Sequence, residues 1–589
     1  GSGLASLAIT RSHPINDSDR ATGALYRNRA LPNDPATTGG PRHLGNLVAI
    51  SFAPDLIPRQ GSCCRCRAHM GHGHKPRTAA RGHPQHQIGE RQIGDQLPLA
   101  QKEVQALEVG CCQVRSRPHK GIKGRHPPRV GGGDKASRCE DGGAMNASEA
   151  ERRTRDLLER DASSVWHPFT QHAVWPDDDP LVIDRAEGMR VFDTQGRSYL
   201  DGNSSLWVNV HGHRVPEIDQ AIRDQLERLG HTTFLGSTHE TGIELAEMLV
   251  ARTPQRLTRA FFSSDGASSV EAAIKMAFQS AAQRGQHRPL YLHIAEGYHG
   301  DTLGAVSVGG IEQFHATYRP LLLATVMADS PGILREGQTR AERAAEVLQQ
   351  MRELLERDGQ RICGIVIEPL VQAAAGMLTH DASFVMGVRQ LCDEFDTLMI
   401  VDEVATGLGR TGSMWAVDRA GVEPDLLTLG KGITGGYLPL SAVMASESVY
   451  ESFLGAPTSG RTFFHGHSYT ANPLCCAAAI ANLHLMDQRN TVAHAAHIGE
   501  VIAEELAVLH GDDRVVEVRR IGTMTGIEVA PVDGVDRTGF AVCQHMRTLG
   551  VLTRPLSDVV VLMPPLAMSD DDVRTMTAAA IESIRAVVR

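Results

Sequence analysis

Two short apolar runs constrain this chain more than any other feature. Leu398-Met399-Ile400-Val401 ends in the acidic pair Asp402-Glu403, and Leu426-Leu427-Thr428-Leu429 ends in Gly430-Lys431-Gly432, with Gly435-Gly436 just beyond. Short apolar runs closed by polar groups suit strands buried on both faces of a parallel sheet. Open α/β sheets bind ligands outside the carboxyl ends of their strands, which is where Asp402 and Lys431 are delivered. Glycines on both sides of Lys431 leave the backbone around it bare.

Lys431 also stands out by scarcity. From Met145 to the C-terminus the only lysines are Lys275 and Lys431; every other basic side chain is Arg or His. A desolvated lysine can lose its proton and condense with a carbonyl, whereas arginine stays charged. A surface lysine in a glycine-rich loop is the other reading, and the pattern alone leaves both open. Asp402, on the neighbouring strand, is placed to act as acid partner to a pyridinium nitrogen.

Further along the same sheet, Cys363-Gly364-Ile365-Val366-Ile367 runs into Glu368-Pro369, and Leu290 to Ile294 leads to Glu296-Gly297-Tyr298-His299-Gly300-Asp301. Alternating strands and helices from Phe261 to Leu429 predict a parallel sheet wrapped by helices, with Glu368, Asp402 and Lys431 on one edge. Phe261-Phe262-Ser263-Ser264-Asp265-Gly266-Ala267-Ser268 reads as a strand end, a turn and a helix start. A helix N-terminus binds phosphate through its free amides, and ordinary capping by Asp265 or Ser268 explains the same residues. Outside this region the pattern predicts a helix over 147–158 and a hairpin turning at Thr194-Gln195-Gly196-Arg197. It also predicts a strand over 525–529 and paired strands over 551–556 and 559–564.

Asp402-Glu403-Val404-Ala405-Thr406-Gly407, then Gly409-Arg410-Thr411-Gly412 and Gly430-Lys431-Gly432, resemble the signature of the class III aminotransferases, pyridoxal-phosphate (PLP) enzymes of fold type I. The interval from Asp402 to Lys431 fits as well, and the resemblance runs from about Trp166 to the end. It implies an α/β fold with a large, mostly parallel sheet wrapped by helices and a smaller α/β domain from both chain ends. The expected boundaries are 145–220 and 476–589 for the small domain and 221–475 for the large one.

The resemblance also implies a set of site residues. Lys431, Asp402 and Tyr298 are the expected catalytic residues, with Lys431 carrying PLP, Asp402 facing its ring nitrogen and Tyr298 stacked on the ring. Gly266 and Ala267 hold the phosphate, joined by Gly466, His467 and Ser468 from a second subunit, so a homodimer is expected. Asp301 anchors a loop or the substrate amine, the crowded loop from Asn203 to His213 lines the substrate pocket, and Arg554 binds a substrate carboxylate through its guanidinium fork.

Within the family the chain looks like the biotin-pathway enzymes that aminate 8-amino-7-oxononanoate to 7,8-diaminononanoate. The branch using S-adenosylmethionine carries Tyr in its His-Pro-Tyr motif and a Trp pair after Ser-Ser. This chain has Phe169 and Leu206-Trp207 there, which removes a hydroxyl and an aromatic face suited to a sulfonium. Those positions, with Val208 to His213, Gly435 to Pro439 and His465 to Tyr469, look like the lysine-using branch, so L-lysine is the expected donor and S-adenosylmethionine the alternative. Other class III ω-amino acid aminotransferases, a non-transaminase of the same fold and a non-catalytic scaffold are the competing readings.

Composition excludes several classes. The apolar content of 41% with 22% charged residues is that of a globular protein, and the net charge of −10 gives no reason to expect a nucleic-acid partner. No run approaches the roughly eighteen apolar residues of a membrane span, and GSGLASLAITR is too short for a secretory core, so a cytoplasmic enzyme is expected. Cys363, Cys392, Cys475, Cys476 and Cys543 fall in apolar or helical contexts and predict buried thiols without disulfides.

Residues 1–144 are rich in Arg, His, Pro and Gly, with Tyr26 and Phe52 as the only aromatics. Such a segment buries too little apolar area to order itself, and disorder or a non-native extension before Met145 is expected. Cys63, Cys64 and Cys66 with His69, His72 and His74 lack a second CxxC pair, so no metal site is expected.

Overall fold

The computed structural model of the protein describes residues 147–589. The expectations for residues 1–144, including disorder, the Cys63–His74 cluster and a start at Met145, lie outside the described residues.

Seven strands form the main sheet in the order Leu257–Ser263, Ser441–Ser446, Leu426–Leu429, Leu398–Asp402, Ile362–Ile367, Leu290–Ile294 and Thr325–Ala328. All point one way except Ser441–Ser446, which is antiparallel to both neighbours. The central strands are buried along their whole length, as their unbroken apolar runs require. Alternation divides each between two faces. Leu398 and Ile400 pack with Val270, Ala273, Ile274 and Ala277 of the helix Gly266–Gln283. Met399 and Val401 join a cluster with Val347 and Met351 of Arg340–Asp358, and with Phe384 and Val388 of Ala382–Glu394. Helices thus cover both faces of one sheet.

The smaller part is built from both ends of the described chain. Ile183–Glu187, Arg190–Asp193 and Ser198–Asp201 form an antiparallel meander that the C-terminal Val551–Leu552 extends in parallel to Ser198–Asp201. The predicted hairpin turn is present, with Asp193 Oδ1 accepting from the amides of Gln195 and Arg197 at 2.9 Å each. Val515–Ile521, Met524–Val529, Val559–Leu562 and Pro555–Leu556 make a second sheet. Leu200, Ile527, Val542, Val551, Val560 and Ile584 share one core beneath them.

Three details differ from the sequence reading. The first helix runs Ala147–Ser164, past Leu158, because its last turns are polar and carry no apolar signal. The stretch Val551 to Leu556 is two strands: Val551–Leu552 belongs to the meander, and only Pro555–Leu556 pairs with Val559–Leu562. The break falls at Thr553-Arg554, just before a proline whose missing N–H keeps it at a sheet margin. Ser441–Ser446 was not anticipated, because a run of Ser and Ala among single apolar residues has little strand signature.

The five cysteines in this region are buried free thiols. Among the described residues no helix is long and apolar enough to cross a membrane, and no His/Cys/Asp/Glu group is arranged to hold a metal.

Gly407, within the acidic motif, is fixed by packing. A Cβ there would stand 2.8 Å from the Glu403 carbonyl and from the ring of Trp415, which is 1% exposed and donates from Nε1 to Arg252 O at 2.7 Å. Gly407→Ala is expected to destabilise the protein by about 1–3 kcal/mol. Urea unfolding checks this as a lowered midpoint at unchanged slope; a parental midpoint would mean that the Trp415 ring yields freely.

Candidate active site

The carboxyl ends of the main-sheet strands open into a cavity of about 480 Å³. Register puts its polar groups side by side. Asp402 lies opposite Thr428, and Val401 opposite Ile367, so Glu368 follows next to Asp402. Lys431 enters from the turn after Leu426–Leu429.

Asp402 is 5% exposed and both its carboxylate oxygens have hydrogen-bond partners. Oδ1 accepts from Val404 N at 3.0 Å and Thr428 Oγ1 at 3.1 Å, and Oδ2 meets His299 Nδ1 at 2.8 Å. Burial alone would pull the His299 imidazole down; the hydrogen bond and charge of Asp402, with Glu368 adding, override it and raise its pKa above the ordinary 6.5. Glu368 accepts from Tyr298 N and Ala373 N, both at 3.0 Å. Burial pushes it up to about 7, against the pull of His299 and with the charge of Asp402.

Lys431 sits at a positive φ of 41°, a conformation that non-glycine residues adopt at a cost. Burial depresses its ammonium pKa, while Asp402 and Glu368 oppose the shift. The amine is therefore available in its neutral form at lower pH than a solvated lysine. Nζ lies 5.4 Å from the centroid of the Trp207 ring.

Trp207 reaches the cavity from a left-handed turn. Ser204, Ser205, Leu206 and Trp207 have φ of 40°, 43°, 68° and 71°, in a region costing L-residues roughly 1–2 kcal/mol each. Buried Asp201 grips the turn, accepting from both Ser205 N and Ser205 Oγ at 2.9 Å, and His213 Nε2 lies 3.0 Å from its other side. Buried Arg410 donates to Ser204 Oγ at 3.0 Å, to Asn209 O at 2.9 Å and to Pro564 O. Trp207 Nε1 is buried without a hydrogen-bond partner among the described residues.

At the far wall the helix Gly266–Gln283 begins. Asp265 caps it, Oδ1 accepting from Ser268 N at 3.0 Å, and the earlier amides of Gly266 and Ala267 have no acceptor one turn back. The capping by Asp265 is thus present, and it leaves these two amides unused. A Cβ on Gly266 would lie 2.7 Å from Val404 Cγ1, so only glycine fits.

The structure gathers Trp207, Gly266, Ala267, Tyr298, Asp301, Asp402 and Lys431 around one cavity. Tyr298 Oη donates to Asp301 Oδ2 at 2.8 Å. The other candidates stand apart. Phe169 is 58% exposed and linked to Tyr298 only through Phe314, with ring centroids 5.5 Å and 6.2 Å apart. Leu206 is 46% exposed and is not among the residues lining the cavity. Gly466, His467 and Ser468 lie outside the lining, with His467 Nε2 3.2 Å from Ser264 Oγ. Arg554 is exposed and makes no ion pair among the described residues. Lys275 lies 2.9 Å from His465 Nδ1, bracing that loop. Sequence reasoning left His299 and Glu368 without roles. The parallel strand ends were the available signal for Glu368, and His299 had none beyond its place beside Tyr298.

Comparison with known proteins places this geometry. Residues 172–584 match the aminotransferase class-III family, and the chain belongs to it. It is 44% identical to an adenosylmethionine-8-amino-7-oxononanoate aminotransferase from Nitratidesulfovibrio vulgaris, over 74% of this chain and 83% of that one. The crystal structure of the enzyme of that name from Methanocaldococcus jannaschii superposes with a TM-score of 0.69 at 37% identity, covering 74% of this chain and 99% of that one. An amine transaminase from an uncultivated Pseudomonas species, solved with PLP bound, superposes with a TM-score of 0.69 at 32% identity over 72% and 99%.

The family cofactor is PLP, and the cavity fits it. It offers a desolvated lysine, a buried carboxylate among donors, a tyrosine ring, the free amides of a helix N-terminus and an unpartnered indole N–H.

Removing His299 would leave Asp402 short of a partner. His299→Phe is expected to cost roughly 3–5 kcal/mol. A raised folded pKa contributes stability that is full below the unfolded value near 6.5 and is lost as pH rises through the folded value. The variant's unfolding free energy should therefore be flatter than the parent's above pH 6.5, by urea titration from pH 6 to 9. An unchanged slope would show that the His299–Asp402 pair does not titrate as described.

Proposed function

We propose that this aminotransferase transfers the amino group of S-adenosylmethionine to 8-amino-7-oxononanoate, forming 7,8-diaminononanoate. The observation that carries the reading is the 44% identity to a relative named for that reaction, together with the cavity that Asp402, Tyr298 and Lys431 share.

When bound, PLP supplies an electron sink for charge developing at the donor's Cα. The chain's own residues do the rest. Lys431, desolvated and carried on a strained turn, is the base that would take the donor's Cα proton and deliver it to the C4′ carbon of the bound cofactor. Asp402, held by His299, Val404 and Thr428, would face the ring nitrogen of the bound cofactor with its carboxylate. Tyr298 offers its ring face, and its hydrogen bond to Asp301 fixes that ring's orientation. The amides of Gly266 and Ala267 take the phosphate, with Gly466, His467 and Ser468 of a second subunit completing its shell in a homodimer. Arg554, exposed and without an ion pair among the described residues, would take the substrate carboxylate.

L-Lysine is the second reading, resting on Phe169 and Leu206 in place of Tyr and Trp together with Val208 to His213, Gly435 to Pro439 and His465 to Tyr469. Phe169 and Leu206 are substantially exposed in the single chain and outside its cavity lining. The relatives' names favour S-adenosylmethionine.

Mixing the PLP-loaded protein with each donor alone tests the choice. S-Adenosylmethionine is expected to convert the absorption of the lysine-bound cofactor to that of its amine form, and subsequent 8-amino-7-oxononanoate to restore it. Conversion by L-lysine alone would reverse the donor assignment, and no conversion by either would point to a different amine.

A further inference from the structure

Asn482 lies in the middle of the helix Pro473–Gln488, fully buried among Ala478, Ala479, Leu483 and Met486. An asparagine there is costly twice over: it is a weak helix former, and its amide is taken out of water. Its partners explain its presence. Nδ2 donates to Gly432 O at 3.1 Å and to Ile433 O at 2.9 Å, the two carbonyls that follow Lys431. Two carbonyl partners fix which end of the amide faces the turn. Oδ1 is left buried with no donor among the described residues, so the residue is not optimised for helix stability.

The turn it grips needs holding. Lys431 has φ of 41°, and Lys431–Thr434 is a single 3₁₀ turn closed by Gly435 N donating to Gly432 O at 2.9 Å. Beyond it Gly435 and Gly436 are both at positive φ, and the local bonds, Ile433 N to Gly430 O and the pair between Thr434 Oγ1 and Leu438, leave the carbonyl of Ile433 to a partner from elsewhere in the fold. Gly435 passes so close that a Cβ there would stand 3.0 Å from Asn482 Oδ1. From behind, His211 Nε2 lies 3.3 Å from the Asn482 carbonyl, tying the helix to the segment beyond Trp207.

We propose that Asn482 is a positioning residue for Lys431: by clamping the carbonyls of Gly432 and Ile433 it keeps the lysine backbone fixed while Nζ is alternately joined to the cofactor and released from it. The inference rests on Lys431 being the cofactor-bearing lysine. A side chain that must detach, move a proton and reattach needs a base that does not drift, because displacement of about 1 Å costs rate steeply.

The test uses the full-length protein stripped of PLP and then given PLP. Attachment is followed by borohydride quench and the mass of the Lys431 peptide. Asn482→Leu removes both donors at similar volume, Asn482→Ser retains one, and Leu483→Ala is a control for lost packing in the same helix turn. Attachment to Lys431 is expected to slow by about ten-fold or more in Asn482→Leu and to recover partly in Asn482→Ser. With the active donor, kcat should fall while KM stays within about two-fold. Leu483→Ala should lower the unfolding midpoint yet attach at the parental rate. Parental attachment in Asn482→Leu, or equal slowing in Leu483→Ala, would overturn the proposal. If Asn482→Leu does not fold, Asn482→Ser against Leu483→Ala decides by the same comparison. Label on a residue other than Lys431 in the parent would instead overturn the site assignment beneath it.

Discussion

Parallel pairing of Leu398–Asp402 with both its neighbours is the constraint on which the site depends. Because the strands run the same way, the residues that end them must emerge on one edge, and register decides which stand together. A slip of one residue would turn Asp402 toward the opposite face and separate it from Thr428 and His299. Burial of both faces under helices makes such a slip prohibitive, since Met399 and Val401 would exchange environments with Leu398 and Ile400. The chemistry inherits its precision from the packing of residues that take no part in it.

Low polarity around that edge does a second job. The same burial depresses the Lys431 ammonium and raises the carboxyl of Glu368, while Asp402 is surrounded by donors. Neighbouring acids thereby differ in their surroundings: Asp402 has three hydrogen-bond partners, and burial pushes Glu368 up to about 7.

Much of this was legible in the sequence. The runs ending at Glu368, Asp402 and Lys431 gave strands, direction and edge, because an apolar run stopped by a polar group encodes all three. The scarcity of lysine singled out Lys431. What was not legible depends on long-range geometry. His299 takes its role from a contact with Asp402, Asn482 from carbonyls across the fold, and the left-handed turn at Ser204–Trp207 from Asp201 and Arg410. No local pattern announces such partners. The split of Val551–Leu556 between two sheets was hidden for the same reason, and the donor expectation leaned on Phe169 and Leu206, which the structure holds at the surface.

The pairing of Val551–Leu552 with Leu200–Asp201 sets a timetable. A ribosome adds about 5–20 residues per second, so the strand carrying Asp201 waits on the order of tens of seconds for its last neighbour to emerge. Arg410, which braces the Trp207 turn, likewise needs Pro564 to complete its bonds. The main sheet can assemble while the chain is still growing, but the pocket wall cannot. Completion of the pocket wall thus waits for Val551 to Pro564, long after Asp201 itself has been made.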